Sequence, residues 1–335
     1  MANIKIVVDA HGADDAPAVV LDGVTAALAE RDDFEVILVG LEETVCPFAQ
    51  KHERVQAKVC TQLIEMGEHG AMAVRKKKDS SIVIGCNLVK EGAAQGFFSA
   101  GSTGACMAAA TLKIGRIKGV KRPALVTVIP SPAAKTVFCD IGANADCKPE
   151  YLVQFAKMAS VYAQITLGVK NPRIGLLNIG EEKDKGSEFA QECHKLMEEE
   201  VSHFAGNAEG RDIALGGFDV IVCDGFTGNV VLKTIEGVSK ALFGALKETF
   251  MNSTKSKIAA LMLKNDLSAL KASLSADEFG GAQLLGIKGV CLIGHGSSNA
   301  KAIKNGILAT VNAVEGNMPA KLEAALFEQK NDTSA

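Results

Sequence analysis

Residues 95–105 read Gln95-Gly96-Phe97-Phe98-Ser99-Ala100-Gly101-Ser102-Thr103-Gly104-Ala105, and this stretch decides the fold that we predict. The apolar run ending at Phe98 predicts a buried strand, and the small residues from Ser99 to Gly104 predict a tight turn that can approach a ligand closely. Small apolar residues from Ala105 onward predict a helix. A strand, a Gly-rich loop and a helix N-terminus together aim unpaired backbone N–H groups at one point, which suits an anion such as phosphate.

By itself this loop is open to two interpretations. It has neither the G-x-G-x-x-G fingerprint of dinucleotide sites nor the Lys-Ser/Thr of a P-loop. A tight turn that only connects a strand to a helix is as consistent with the pattern as an anion site. Other parts of the chain must therefore decide between them.

The composition limits the class of protein. The chain of 335 residues is long enough for one large α/β unit or two smaller lobes, and its net charge of −3 argues against nucleic-acid binding. The nine cysteines form no C-x-x-C pair, and no signal peptide is evident. No apolar run reaches the ~20 residues of a membrane span. We therefore expect a cytoplasmic protein with reduced thiols.

Strand, helix and strand alternate at the start of the chain. Residues 4–10 and 34–40 read as strands on either side of a helix through Val19 to Leu28. This βαβ unit predicts a mostly parallel sheet between two helical layers, a three-layer α/β/α fold. Asp9 then lies at the carboxyl end of a strand, the edge where open α/β sheets bind ligands, although an Asp there can equally cap the following turn.

Four later strands, over 136–140, 173–180, 218–224 and 289–294, also end in polar loops. The candidate site residues in these loops are Asn144, Asp146 and Lys148, then Glu181 and Lys185, then Asp224 and Asn229, and finally His295 and Ser298. Each has an ordinary structural explanation, such as capping a helix, which we expect of Ser297 or Ser298. Their common position at the carboxyl ends of strands nevertheless favours one polar pocket.

Two segments lie outside this alternation. Arg75, Lys76, Lys77 and Lys78 form the densest basic run, which is either a solvated face or a docking patch for an acidic protein. An amphipathic helical hairpin is predicted at about 250–276, broken at Asn265-Asp266. Its candidate apolar face comprises Ile258, Leu261, Met262, Leu270 and Leu274. This hairpin is a dimer element, a core-facing helix pair or a foot on a membrane surface.

The chain resembles the PlsX-type phosphate acyltransferases, and the match is collinear from about residue 4 to residue 313. It departs in the first motif, where His11, Ala13 and Asp15 replace the family's usual Met, Gly and His, so no role of that His or Gly carries over. The motifs that carry the resemblance are Asp9-Ala10-His11-Gly12, the 75–81 segment, Ser99–Ala105, Gly142–Pro149, Asn178–Glu182, Asp224–Asn229, Phe279–Ala282, Leu284–Gly286 and His295–Ala302.

The resemblance implies transfer of a fatty acyl group from acyl carrier protein to inorganic phosphate, giving acyl phosphate for phospholipid synthesis. It implies one α/β domain over 1–325, akin to the isocitrate/isopropylmalate dehydrogenases, with a polar tail over 326–335. We also predict a homodimer, no cofactor and no metal. The next enzyme would be a membrane-bound glycerol-3-phosphate acyltransferase, which places the protein in the cytoplasm with peripheral contact to the inner face of the plasma membrane.

On this basis we assign a role to each candidate residue. Gly101, Ser102, Thr103 and Gly104 hold phosphate, and Lys148 or Lys185 balances its charge. His295 and Asn229 stabilise the tetrahedral oxyanion, and Asp224 or Asp146 orients these groups or takes a proton. Asp9, Asn144, Glu181 and Ser298 complete the pocket. The 75–78 run and the hairpin are the candidate surfaces for the carrier protein.

Phosphate is already an oxyanion at neutral pH, so the reaction requires no Ser or Cys nucleophile and no covalent acyl-enzyme, and the chain has no G-x-S-x-G elbow. Two other interpretations remain: a short-chain phosphotransacylase that uses acyl-CoA, and a non-catalytic lipid or carrier-protein scaffold. An NAD-dependent dehydrogenase is disfavoured, since no strand leads into G-x-G-x-x-G with an acidic residue ~20 residues later.

Overall fold

The computed structural model describes residues 4–274 and 276–327, and within them eleven strands form one sheet. The strands are β1 (Ile4–Asp9), β2 (Phe34–Gly40), β3 (Val55–Val59), β4 (Gly96–Ser99), β5 (Ala124–Pro130), β6 (Lys135–Cys139), β7 (Ile174–Leu177), β8 (Phe204–Ala208), β9 (Val220–Val222), β10 (Ala282–Leu285) and β11 (Val290–Ile293). Their order across the sheet is β3-β2-β1-β4-β11-β10-β5-β6-β9-β7-β8.

Helices cover both faces of this sheet. They are α1 (Ala18–Glu30), α2 (Glu42–Ala49), α3 (Gly70–Lys76), α4 (Ser81–Lys90), α5 (Thr103–Ala109), α6 (Pro149–Leu167), α7 (Glu188–Glu200), α8 (Asp212–Leu215), α9 (Gly225–Met251), α10 (Thr254–Met262), α11 (Lys264–Ser273), α12 (Ala300–Glu315) and α13 (Met318–Phe327). A π-helical turn, Ala110–Ile114, continues α5, and a 3₁₀ turn, Ala276–Phe279, precedes β10.

The three-layer α/β/α fold predicted from the sequence is confirmed. Phe97 and Phe98 are both fully buried, and because side chains alternate along a strand they enter cores on opposite faces of the sheet. The Phe97 face carries α3, α4 and α5, and the other face carries α1 and α12 beside α6, α7 and α13.

The middle of the sheet is antiparallel, which the prediction did not include. β10 pairs antiparallel with both β11 and β5, and β5 pairs antiparallel with β6. The sequence held a signal for the β5–β6 pair, since four residues separate these strands and a parallel crossover needs a dozen or more. The remaining pairings within the described sheet are parallel.

The predicted hairpin follows the 27-residue helix α9. Its break lies at Leu263, between α10 and α11, and not at Asn265-Asp266 as predicted. No residue of α10 is buried, and Leu261 and Met262 are 73% and 79% exposed, so this helix does not face the core of its own chain. Residues 328–335 of the predicted polar tail lie outside the described residues, whereas residues 326 and 327 end α13.

Across residues 4–274 and 276–327, no helix combines the length and the hydropathy needed to cross a bilayer.

Candidate functional site

A cavity of about 180 Å³ lies at the carboxyl edge of the sheet, where α5 and α9 begin. Thr103 at the first turn of α5, Asn229 in α9 and His295 after β11 all line it. Its walls are apolar side chains from the strands, including Leu125 and Ile293. Three segments far apart in sequence therefore bring polar side chains to one small cavity.

The buried carboxyl group of Asp9 supports the predicted anion loop through hydrogen bonds. Ser99 Oγ donates a hydrogen bond of 2.8 Å to Asp9 Oδ2, and the Gly101 N–H donates to Ser99 Oγ at 3.0 Å. Ser102 Oγ caps α5 by accepting from the Ala105 N–H. Asp9 lies beneath the loop. Burial raises the pKa of its carboxyl above the usual 3.8, and hydrogen bonds from Ser99, Ser81 and the His11 N–H partly offset that rise.

A second buried carboxylate, Asp140, shapes the loop after β6. It accepts hydrogen bonds from the backbone N–H groups of Leu125, Ala143 and Asn144 at 2.8–3.0 Å, and from Asn144 Nδ2 at 2.9 Å. Burial raises the pKa of the Asp140 carboxyl, and these donors oppose that shift. Asn144 is therefore an anchor of the loop, with its second amide hydrogen donated to the Pro123 carbonyl.

Other candidates in this loop and the next lie away from the cavity. Asp146 and Lys148 are exposed, and Lys148 directly precedes α6. Lys185 and Glu181 are exposed in the loop after β7, where Glu181 pairs with Arg211 at 3.3 Å. None of these four residues lines the cavity that contains Thr103 and His295.

Asp224 caps α9 and so places Asn229. Its carboxylate accepts from the Thr227 N–H at 2.9 Å and from Thr227 Oγ1 at 2.7 Å. The Gly225 N–H donates to the Asn144 carbonyl at 2.7 Å, which joins the start of α9 to the Asp140 loop. Asn229 follows one turn later, in the cavity.

The hydrogen bonds of His295 determine its neutral tautomer. Nδ1 lies 3.2 Å from the Ser297 backbone nitrogen, which can only donate, so Nδ1 is an acceptor and the neutral ring carries its proton on Nε2. Ser297 Oγ lies 2.8 Å from His295 Nδ1. The predicted cap of α12 by Ser297 or Ser298 is wrong: Asn299 caps this helix, accepting from the Ala302 N–H at 2.9 Å. Ser298 is buried and its N–H donates to the His295 carbonyl.

Lys233 is a cavity residue that the sequence analysis missed. It lines the cavity with Thr103, and its Nζ lies 2.8 Å from Glu236 Oε2, which also lines it. Lys233 is four residues after Asn229, and residues at this spacing share one face of a helix. That spacing was the signal that could have identified it.

The four side chains of the basic run differ in exposure and in partners. Lys77 turns inward, pairing with Glu68 at 2.6 Å and donating to the Leu63 carbonyl at 2.7 Å. Arg75, Lys76 and Lys78 are exposed, and Arg75 lines a separate groove beside α5.

The thiols near the cavity are poor nucleophiles. Burial raises the pKa of Cys106 in α5 to about 12, and that of Cys147 in the Asp140 loop to about 12. Both groups are therefore protonated at neutral pH, and a thiol reacts as the thiolate.

Comparison with known proteins shows a match to one protein family and to several relatives. The family described as "Fatty acid synthesis protein" matches residues 4–321. A phosphate acyltransferase of Desulfitobacterium hafniense (strain Y51) is 49% identical over 316 residues, covering 93% of this chain and 94% of the relative. A phosphate acyltransferase of Halothermothrix orenii is 46% identical over 321 residues, covering 94% and 96%.

Two solved structures share the fold. A phosphotransacetylase from Streptococcus pyogenes aligns with a TM-score of 0.60 at 16% identity, covering 94% of this chain and 95% of that one. A branched-chain phosphotransacylase from Enterococcus faecalis V583 aligns with a TM-score of 0.61 at 15% identity, covering 93% and 99%. At these identities the likeness concerns the fold.

Proposed function

We propose that this chain, which belongs to the fatty acid synthesis protein family and is a phosphate acyltransferase, moves a fatty acyl group from acyl carrier protein to inorganic phosphate and forms an acyl phosphate. The family and the class of enzyme predicted from the motifs are confirmed by the match over residues 4–321 and by the relatives. The carrier-protein donor and the acyl phosphate product are our proposal.

One observation carries the proposal: a single cavity contains the start of α5, a lysine, an amide and an imidazole. The N-terminal end of α5, with the Thr103 hydroxyl, is suited to the phosphate oxygens. Lys233 supplies the positive charge, in place of Lys148 or Lys185. Its partner Glu236 lies 2.8 Å away, so an incoming phosphate competes with this carboxylate for Lys233.

The reaction follows from these positions. A phosphate oxygen attacks the thioester carbonyl carbon, a C–O bond forms, and the carbonyl oxygen becomes an oxyanion. The Nε2–H group of His295 and the amide of Asn229 donate to that oxyanion. The C–S bond then breaks, and the proton of the phosphate hydroxyl ends on the departing thiol. Asp224 acts by positioning α9, since its carboxylate already accepts two hydrogen bonds from Thr227.

The donor assay tests this function directly. Purified protein is given phosphate with either acyl carrier protein or CoA carrying the same long acyl chain, and acyl phosphate is trapped with hydroxylamine. Trapped product with the carrier-protein donor is expected. Product from acyl-CoA alone would instead establish the phosphotransacylase alternative, and carrier-protein binding without product from either donor would establish a scaffold.

A variant test locates phosphate. Thr103→Val should raise the KM for phosphate more than the KM for the acyl donor, because the lost hydroxyl contacts only phosphate. Thr25→Val is the control, since Thr25 is exposed in α1 and no residue of α1 lines the cavity. A larger effect on the donor KM would contradict the assignment.

We extend the proposal to a homodimer formed through α9. In this helix, only Gly225 and Gly228 are buried, whereas Phe226, Val230, Val238 and Leu242 are each more than half exposed. A second copy of the chain would cover this apolar surface. Sedimentation of the native protein and of Leu242→Glu tests it: the native protein should be a dimer, and the variant should dissociate.

We also propose that α10 rests on the inner face of the plasma membrane, where a membrane-bound glycerol-3-phosphate acyltransferase would receive the product. The exposed side chains Ile258, Leu261 and Met262 supply the apolar contact, and Lys255 and Lys257 are basic. Flotation with anionic vesicles should recover the native protein and fail to recover Leu261→Glu.

A further inference from the structure

A groove of about 620 Å³ runs along α5, next to the cavity. One wall is formed by α3, whose first residue, Gly70, meets the backbone of Gly104 so closely that a Cβ on Gly70 would lie 2.3 Å from the Gly104 carbonyl carbon. Apolar side chains of Met107, Ala108 and Leu284 also line the groove. The groove is thus largely apolar and begins at the proposed phosphate loop.

The groove and the cavity are lined by neighbouring residues. Gly104 in the groove follows Thr103 in the cavity. In β10, Leu284 lines the groove and Ala282 lines the cavity, and residues two apart in a strand point to the same face. The groove and the cavity therefore lie next to each other on one face of the sheet.

Two arginines, Arg75 and Arg122, line this groove and are exposed. Neither forms an ion pair with any residue between 4 and 274 or between 276 and 327. The Arg122 guanidinium lies 6.0 Å from the centre of the Tyr151 ring, which leaves its N–H groups available. An apolar groove with two guanidinium groups suits a ligand that is uncharged along its length and anionic at one end.

We infer that this groove holds the 4′-phosphopantetheine arm of the donor thioester. The thioester lies in the cavity beside Thr103 and His295, and the phosphodiester lies at Arg75 and Arg122. This inference rests on the proposed function, and the arm is that of acyl carrier protein. An acyl chain ends in a methyl group and would gain nothing from two guanidinium groups, so the arm is the better occupant.

The helical stretch that lines the groove is about as long as the arm. An extended pantetheine arm is about as long as four extended amino-acid residues, roughly 14 Å. At about 1.5 Å per residue, the helical stretch from Thr103 to Leu112, whose side chain also lines the groove, spans about 14 Å.

The test removes the phosphate from the donor and, separately, each guanidinium group from the protein. Acyl-4′-phosphopantetheine and acyl-pantetheine, which lacks the phosphate, are compared on the native protein, Arg75→Gln and Arg122→Gln. Each variant should raise the KM for the phosphorylated donor about tenfold, the usual effect of one charge-assisted hydrogen bond. Each should leave the KM for acyl-pantetheine and for phosphate unchanged. Lys58→Gln, exposed on the edge strand β3 and outside the groove, should behave like the native protein.

A second variant tests the groove itself. Ala108→Phe fills the space beside α5 and should raise the KM for both pantetheine donors while the KM for phosphate stays unchanged. Equal losses for the two donors in the arginine variants would overturn the phosphodiester assignment. A loss seen only with intact acyl carrier protein would also overturn it, because the arginines would then contact the carrier's surface.

The donor assay described under the proposed function, together with acyl-4′-phosphopantetheine, separates this inference from the proposed function. If the native protein used acyl-CoA and not acyl carrier protein, the proposed donor would be wrong. The arginine effect on acyl-4′-phosphopantetheine would still support the groove as the site of the arm, because CoA and the carrier protein share that arm.

Discussion

Ser99 Oγ donates a 2.8 Å hydrogen bond to Asp9 Oδ2, and so joins the carboxyl end of β4 to that of β1 beneath the proposed phosphate loop. The same hydroxyl accepts the Gly101 N–H at 3.0 Å. The shape of the loop therefore depends on a carboxylate that does not reach the cavity. Gly12 adds to this support, since a Cβ there would lie 2.8 Å from the Gly101 nitrogen.

Ser99→Ala should lower kcat/KM for phosphate and destabilise the protein. The substitution leaves the buried Asp9 carboxyl and the Gly101 N–H without their shared partner, at a cost of about 1–3 kcal/mol. Thermal unfolding and steady-state kinetics measure the two effects. Ser202→Ala, on the surface before β8, is the matched control and should change neither. A loss of stability with unchanged phosphate kinetics would show that the loop holds its shape without Ser99.

The pH dependence of stability should report the ionisation of Asp9. Burial raises its pKa above 3.8, so the folded state keeps a proton that the unfolded state releases. The free energy of unfolding contributed by this group is therefore greatest below 3.8 and falls as pH rises through the raised pKa. Asp9→Asn cannot ionise, so its stability relative to the native protein should improve with rising pH. Urea unfolding between about pH 4 and pH 8 measures this. Parallel stability curves for the two proteins would contradict the raised pKa.

Lys233 and Glu236 should affect phosphate binding in opposite directions. Lys233→Gln removes the positive charge of the cavity and should raise the KM for phosphate about tenfold. Glu236→Gln releases Lys233 from its partner and removes a like charge, so it should lower that KM about two- to threefold. If the Lys233–Glu236 ion pair had only a structural role, both variants would change the KM for phosphate in the same direction. Lys240→Gln, exposed farther along α9, is the control and should leave the KM unchanged.

His295 should affect the chemical step more than binding. His295→Ala removes an oxyanion donor and should lower kcat about a hundredfold with little change in the KM for phosphate. Ser297→Ala keeps the imidazole but removes its hydroxyl partner, and should lower kcat less, by about threefold to tenfold, because the Ser297 N–H still holds the ring. Steady-state kinetics with saturating donor measures both. A rise in the KM for phosphate without a fall in kcat would show that His295 binds phosphate and does not stabilise the oxyanion.

Much of this protein could be predicted from local pattern. The alternation of strands and helices predicted the three-layer fold, and the motifs predicted the family. The placement of Thr103, Asn229 and His295 after strands predicted their common edge, because parallel strands bring their carboxyl ends together. Their meeting in one cavity agrees with that expectation.

Other features depend on contacts between segments that are distant in sequence. Whether Lys148, Lys185 or Lys233 enters the cavity depends on the rotation of α9 and on the packing of the Asp140 loop against its start, where Gly225 bonds to Asn144. The Lys77 side chain turns away from the other basic side chains because Glu68 lies beside it in the folded chain. The sequence alone determined which elements form and which edge of the sheet carries polar groups, because periodicity and turn chemistry are local. Only the tertiary structure decided which side chains face the cavity, because the rotation of a helix is set by what it packs against.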